Sequence, residues 1–420
     1  MASAERILSA LYQRTTGTIK LGLERIQKAA SELGTPQGAY QTIHVAGTNG
    51  KGAVCTFLES ALRNAGYKTG LYVSPHLVNF EERFLINGRP VSLNEWKDIY
   101  HVVEPLIDKY DLTFFEVTTL LALLVFKNAE VDWAVVETGL GGRLDATNVL
   151  VPRASVITRL GMDHAQYLGN DLCSVAREKL GIVKPGVPLV MLVPENPEIR
   201  RLANEIVEAR NTQVDWVALE PHHQAEITGG FSRFRFRETE VTVPLIGYHQ
   251  AANALLAMTV LHKLDIAGPP SNALALASVR LPGRLQIVIR DGKPWIFDVG
   301  HNHQAVEALT ETLAAIYPSQ SILFVVGVMV DKDVYAIMKT ISASATEIVA
   351  VTPSVARATD SEALLKCIPD SFKGETVSKG TVPEGIAVAE HSKADVVCVC
   401  GSFYTVGEAM TACGIRPYEM

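Results

Sequence analysis

The chain has 420 residues, with 38 Lys and Arg against 45 Asp and Glu, for a net charge of −7. That balance excludes a nucleic-acid binder held by phosphate neutralisation, so an anionic ligand must be held by local features such as helix N-termini, a few cations and bound metal. An apolar fraction of 48% with 20% charged residues fits two or three globular domains, each able to bury a core without disulfides.

In chain order, Met1 to Lys20 lacks the apolar core of a signal peptide. No stretch approaches the roughly 18 uninterrupted apolar residues of a membrane span. A cytoplasmic protein without membrane contact is expected. Strands are predicted at Thr42–Ala46, Thr69–Val73, Trp133–Glu137, Ala154–Thr158 and Leu189–Val193, with amphipathic helical segments such as Val54–Asn64 and Val117–Asn128 between them. That alternation predicts an α/β fold with a doubly wound parallel sheet. Residues 213–243 are short, charged and β-rich, as in Phe231-Ser-Arg-Phe-Arg-Phe-Arg237, and are expected as an antiparallel excursion beside the sheet.

A second block follows Leu281-Pro-Gly-Arg284, with strands predicted at Pro294–Val299, Ile322–Val328, Glu347–Val351 and Asp395–Cys400 and helices such as Gln304–Ile316. This is expected to be a smaller Rossmann-like α/β domain of about 130 residues. The expected division is 1–284 and 285–420, with the Pro-Gly turn as the hinge. None of the six cysteines forms a CxxC pair, and Cys398 and Cys400 would share one face of a strand as core residues. That usage fits a reducing compartment.

The strongest single feature is Thr42-Ile-His-Val-Ala-Gly-Thr-Asn-Gly-Lys-Gly52 ahead of a helix. A Gly-rich turn between strand and helix exposes backbone N–H groups to an anion, the helix N-terminus adds favourable charge, and Lys51 can reach outer phosphates. The stretch departs from the general P-loop G-x-x-x-x-G-K-[ST] in having Val45 first and Gly52 after the Lys. Three polar residues end or follow predicted parallel strands, where open α/β sheets place their sites: Ser74, Glu137 and His164. Of these, Glu137 closes an apolar strand and is least easily read as scaffold, because an unpaired buried carboxylate is costly.

The wording Gly47-Thr-Asn-Gly-Lys-Gly52 resembles the phosphate loop of the Mur ligase superfamily, in its folylpolyglutamate synthase and dihydrofolate synthase branch. The resemblance continues through Val73-Ser-Pro-His-Leu77, Val136-Glu-Thr-Gly-Leu-Gly-Gly-Arg-Leu-Asp145 and Gly161-Met-Asp-His164 to Trp295-Ile-Phe-Asp-Val-Gly-His-Asn302. It implies ATP binding by Gly47, Thr48, Asn49, Gly50, Lys51, Gly52, Asn253, Arg284 and Asp298. It implies magnesium held by Ser74, Glu137 and His164, and a catalytic set of Lys51, Glu137, His164, Lys179 and His301. By residue type alone Lys179 is one of several helix lysines; its carbamylation is implied by the resemblance only. His303 stands where the family usually has Pro, which is expected to alter the turn. Lys332-Asp333 and Gly401-Ser-Phe-Tyr-Thr405 also look like the family, without an assigned role.

The acceptor side rests on three points. Only 46 residues precede Gly47, too few for the extra N-terminal domain of ligases acting on UDP-muramyl substrates. Thr18-Ile-Lys-Leu-Gly-Leu-Glu-Arg25 resembles the family's pterin-side segment, with Lys20 where Asp is usual, and places Lys20, Leu21, Gly22 and Leu23 at the substrate. Thr113, Phe114, Phe115 and Glu116, with Leu144, Asp145 and Ala146, match segments that contact dihydropteroate; the two rings could stack on a flat pterin or simply pack in the core. The implied enzyme is a monomeric ATP-dependent ligase adding L-glutamate to dihydropteroate and to reduced folates through an acyl phosphate. The alternatives are polyglutamate addition alone, a P-loop kinase or ATPase, and a non-catalytic nucleotide-binding relative.

Overall fold

The structure is a computed structural model that describes residues 4–14 and 20–418. Strands β1 (Gln41–Ala46), β2 (Thr69–Tyr72), β3 (Phe84–Ile86), β4 (Arg89–Pro90), β5 (Trp133–Glu137), β6 (Ala154–Ile157), β7 (Leu189–Leu192) and β8 (Val214–Val217) form one sheet in the order β4-β3-β2-β5-β1-β6-β7-β8. From β2 to β8 the neighbours are parallel, and β3 with β4 adds an antiparallel hairpin at one edge. Helices cover both faces, which is why the central strands read as continuous apolar runs. On β5, Trp133 and Val135 pack with the helices Lys51–Asn64 and Tyr248–Lys263, while Ala134 and Val136 pack with Leu93–Lys109 and Phe114–Asn128.

Strands β9 (Glu226–Ile227), β10 (Ser232–Phe236) and β11 (Thr239–Val243) make a separate antiparallel sheet. The excursion expected over 213–243 is therefore narrower, because Val214–Val217 pairs parallel with β7 as the edge of the main sheet. Three of the four residues of that edge strand are only half-buried, so it carries Asp215 and lacks the apolar run of an interior strand.

The second sheet contains β12 (Gln286–Arg290), β13 (Lys293–Asp298), β14 (Ile322–Val326), β15 (Glu347–Val351), β16 (Glu375–Lys379) and β17 (Val396–Cys400), in the order β12-β13-β17-β14-β15-β16. Its interior strands are those expected from the sequence; β12 and β16 are half-exposed edges whose charged residues hide them. Cys398 and Cys400 do share one buried face, beside Val396 and Phe324. Among the described residues no helix is long and apolar enough to cross a membrane.

The helix Phe403–Ala412 of the second unit lies against the loop that follows β2. Glycine is required at the contact, since a Cβ at Gly407 would sit 2.1 Å from the Leu77 carbonyl oxygen. Gly407→Ala is expected to push the two sheets apart while each stays folded. The check is an increased radius of gyration in small-angle X-ray scattering with unchanged far-UV circular dichroism.

Candidate active site

A cleft opens between the two sheets. Its floor is the turn after β1. Gly50 takes φ 93°, and a Cβ there would meet the Asn253 side chain at 2.5 Å, so the turn admits little else. The first bond of the following helix runs from Val54 N–H to Gly50 O, leaving the N–H groups ahead of it without helical acceptors. The turn is tied to the loop after β6. The Thr48 hydroxyl donates to Gly161 O at 2.9 Å and accepts from Gly161 N–H at 3.1 Å, and Thr158 Oγ1 donates to Asn49 O at 2.8 Å.

Lys51 opens the helix with its Nζ 3.8 Å from Glu137 Oε1. Glu137 ends β5, is 5% exposed, and accepts the Ser74 N–H at 3.2 Å. Burial pushes its carboxyl up, opposed by Lys51, the Ser74 N–H, Arg284 and Arg83. Burial holds His164 down to about 4, so its ring is neutral near pH 7 and keeps a lone pair for a metal or proton. Lys179 is buried, donates to Gly47 O at 2.8 Å, and is lowered to about 7 by burial and by the charge of Lys51.

The opposite wall comes from the second sheet and the turn leading into it. Arg284 lies over the Phe403 ring, 4.9 Å to its centroid, and is half-buried, with the charge of Asp298 bearing on it. Asp298 ends β13 and accepts Leu285 N–H at 2.8 Å and Gly300 N–H at 2.7 Å, which ties the Pro-Gly turn to that strand end. Asn49 and Asn302 exchange amide hydrogen bonds across the cleft, at 3.0 and 3.3 Å, and Asn49 also donates to Gln304 Oε1 at 2.8 Å.

Every expected nucleotide, metal and catalytic residue lines this one cleft: Gly47 to Gly52, Ser74, Glu137, His164, Lys179, Asn253, Arg284, Asp298 and His301. His303 keeps the turn's bond to its cap, with Asn302 accepting the Ala305 N–H. It is the first residue of the helix His303–Ile316, behind the cap Asn302, a position where Pro fits equally well.

The acceptor-side residues gather next to the cleft. The Phe115 ring packs against Gly139, and Phe114 stacks on Tyr12 with centroids 5.5 Å apart. Lys20 pairs with Asp111 on the surface, its Nζ 2.5 Å from that carboxylate. Glu116 is a strut, accepting the Thr113 N–H and pairing with Arg25 at 3.1 Å. Asp145 organises its own loop by accepting from the N–H groups of Gly139, Leu140 and Thr147 and from the Thr147 hydroxyl. Leu21 is exposed, Gly22, Leu23 and Leu144 are partly buried, and Ala146 is buried. Thr18 and Ile19 lie outside the described residues.

Chain comparison matches residues 45–261 to the Mur ligase middle domain and 283–403 to the Mur ligase glutamate ligase domain. The dihydrofolate synthase/folylpolyglutamate synthase of Escherichia coli (strain K12) is 34% identical, covering 97% of this chain and 95% of that protein. Mycobacterium tuberculosis folylpolyglutamate synthase complexed with ADP superposes with a TM-score of 0.90 at 30% identity, over 99% of both chains. The bifunctional folylpolyglutamate synthase/dihydrofolate synthase of Yersinia pestis, complexed with AMPPNP and Mn ion, gives 0.86 at 29% identity, again over 99% of both.

The chain belongs to the Mur ligase family. Within it the chain falls in the dihydrofolate synthase/folylpolyglutamate synthase branch, and it is an ATP-dependent ligase. The Mur ligase cleft also contains groups to which no role was attached from sequence. Asp163 receives Lys332 Nζ at 2.6 Å and faces His301 and His164 at 3.7 and 3.8 Å. Burial alone would raise its carboxyl; the bond to His301 and the charges of His164 and Lys332 outweigh that and hold it well below the usual carboxylate range. His249, lowered to about 4 by burial first and then by Arg159 and Arg284, lines the same cleft. Asp163 sits inside a motif quoted above, but only the folded chain brings Lys332 to it.

In this Mur ligase Lys51 lies against Glu137 and lines the cleft at the glycine turn. Lys51→Met is expected to lower turnover by on the order of 100-fold or more, as loss of an electrostatic stabiliser does. Steady-state rates beside an unchanged melting temperature check it.

Proposed function

We propose that this ligase joins the amine of L-glutamate to the carboxylate of 7,8-dihydropteroate and of reduced folates and their polyglutamates, with ATP as co-substrate. One observation carries the proposal. The Lys51 turn, Glu137 and the second-sheet residues Arg284, Asp298 and His301 converge on one cleft, beside the aromatic pair Phe114 and Phe115. That is the arrangement needed to hold a polyphosphate against a flat acceptor. The boundary is assigned between residues 284 and 285. All of these groups come from one chain, which supports a monomeric enzyme, here proposed to work in the cytoplasm.

Among the described residues no three His, Cys, Asp or Glu side chains converge as a self-sufficient metal cage. Magnesium suits such a site, because it keeps several waters and bridges protein to phosphate oxygens. Glu137, Ser74 and His164 would hold it, and it would supply positive charge at the phosphates. Asn253, Arg284 and Asp298 are assigned to the nucleotide.

An oxygen of the acceptor carboxylate attacks the γ-phosphorus of ATP in line; the bond to the β,γ-bridging oxygen breaks and ADP leaves. Lys51 and the N–H groups of the turn stabilise charge on the transferring group. The glutamate amine then attacks the acyl carbon, gives up a proton, and inorganic phosphate departs from the tetrahedral intermediate. His301 lies over this end of the cleft, and approach of the second sheet excludes the water that would hydrolyse the acyl phosphate.

Lys179 is assigned to carbamylation. Its buried amine, lowered to about 7, is substantially neutral near that pH, the form that attacks carbon dioxide. Intact-mass measurement in bicarbonate is expected to show one carbon dioxide adduct above pH 7, lost on acidification and absent from Lys179→Met. No adduct in the unaltered protein overturns the assignment.

The function is tested by ADP release with Mg-ATP and L-glutamate, comparing 7,8-dihydropteroate, tetrahydrofolate and no acceptor. Release with both acceptors, with glutamylated product, is expected. Release with tetrahydrofolate alone reduces the function to polyglutamylation, and release with neither overturns it.

A further inference from the structure

Arg83 closes the short turn Phe80–Arg83 just before β3 and is only 6% exposed. Its Nε donates to His76 Nδ1 at 2.9 Å, and its guanidinium lies 5.3 Å from the centroid of Phe114 and 5.9 Å from that of Phe80. Because its Nδ1 accepts this bond, that nitrogen carries no proton and the His76 ring is neutral. Its other nitrogen meets the Tyr12 hydroxyl at 3.3 Å.

Among the described residues no carboxylate pairs with this cation. The two nearest acids in sequence are committed elsewhere. Glu81 accepts from the Trp96 indole at 3.0 Å, and Glu82 takes the N–H groups of Leu77, Val78 and Asn79. A buried guanidinium whose hydrogen-bonded neighbour is neutral is costly, because no carboxylate in contact with it offsets its desolvation. Such a group persists where an anion arrives with the ligand.

The position narrows which anion. Arg83 stands over the Phe114 ring on the acceptor side, and its bond to His76 ties it to the segment whose Ser74 and Pro75 line the cleft. A carboxylate held here has an aromatic platform behind it and the phosphoryl site ahead. We propose that Arg83 anchors the reactive carboxylate of the acceptor, pairing with one oxygen while the other is aimed at the γ-phosphorus. The proposal rests on the folate reading above and extends it to both acceptors, since an aryl carboxylate and a glutamyl carboxylate offer the same two oxygens. Arginine suits the task better than lysine, because its planar fork stacks on rings and fixes carboxylate orientation.

The test uses binding, measured calorimetrically in saturating Mg-ADP without glutamate. The unaltered protein is expected to prefer 7,8-dihydropteroate over its carboxamide by about 30-fold or more, as loss of a buried charge partner does. In Arg83→Met, with melting temperature and ADP affinity as controls, the preference is expected to fall to within about threefold. An undiminished preference in that variant overturns the anchor and leaves the folate reading standing. If the unaltered protein binds neither compound, the folate reading falls and takes the anchor with it. Arg83→Lys gives a second test should the Met variant unfold. The expected result is a raised KM for the acceptor with an unchanged KM for glutamate; a rise confined to glutamate overturns the assignment.

Discussion

The arrangement of this molecule depends on a buried ion pair that neither of its two sheets could hold alone. Lys332 and Asp163 come from opposite sides of the cleft, meet at 2.6 Å, and have side chains no more than 10% exposed. A buried pair of this kind adds little net stability, since desolvation offsets most of the attraction. It does penalise every other register, because sliding either partner away leaves a charge in a poor solvent. Asp163 also faces His301 and His164, so the contact that aligns the units orients reactive groups from both.

The same cleft reconciles a net charge of −7 with an anionic ligand. Lys51, Arg159 and Arg284 line it beside Glu137, Asp163 and Asp298, so cations are concentrated there despite the acidic balance of the whole chain. Low-dielectric walls concentrate that field at the mouth of the cleft. Net charge excludes a broad electrostatic footprint, and it says little about a small enclosed one.

Much of the cleft was legible in the sequence, because its residues sit where continuous apolar strands end. Glu137 and Asp298 each close a strand of buried residues, and the glycine turn at 47–52 follows another. Edge strands were less legible: β8, β12 and β16 each have poorly covered residues and mix charged with apolar positions. Lys20, Glu116 and Asp145 show a further limit. Their motifs were recognisable, yet folding commits the first to a surface partner and the other two to local backbone. Asp163 and Lys332 stood in plain view as residues, but their relation exists only after two distant segments meet.

The reciprocal amide pair of Asn49 and Asn302 has a consequence for how this architecture can change. These residues are 253 positions apart, and each supplies both the donor and the acceptor that the other uses. Substituting either strands two polar groups at once, so the phosphate turn and the start of the helix His303–Ile316 are constrained to drift as a matched pair. A chimera joining the first sheet of one relative to the second sheet of another inherits a working junction only when both donors carry compatible partners here. Modularity at the level of domains is thus limited by two side chains at their seam.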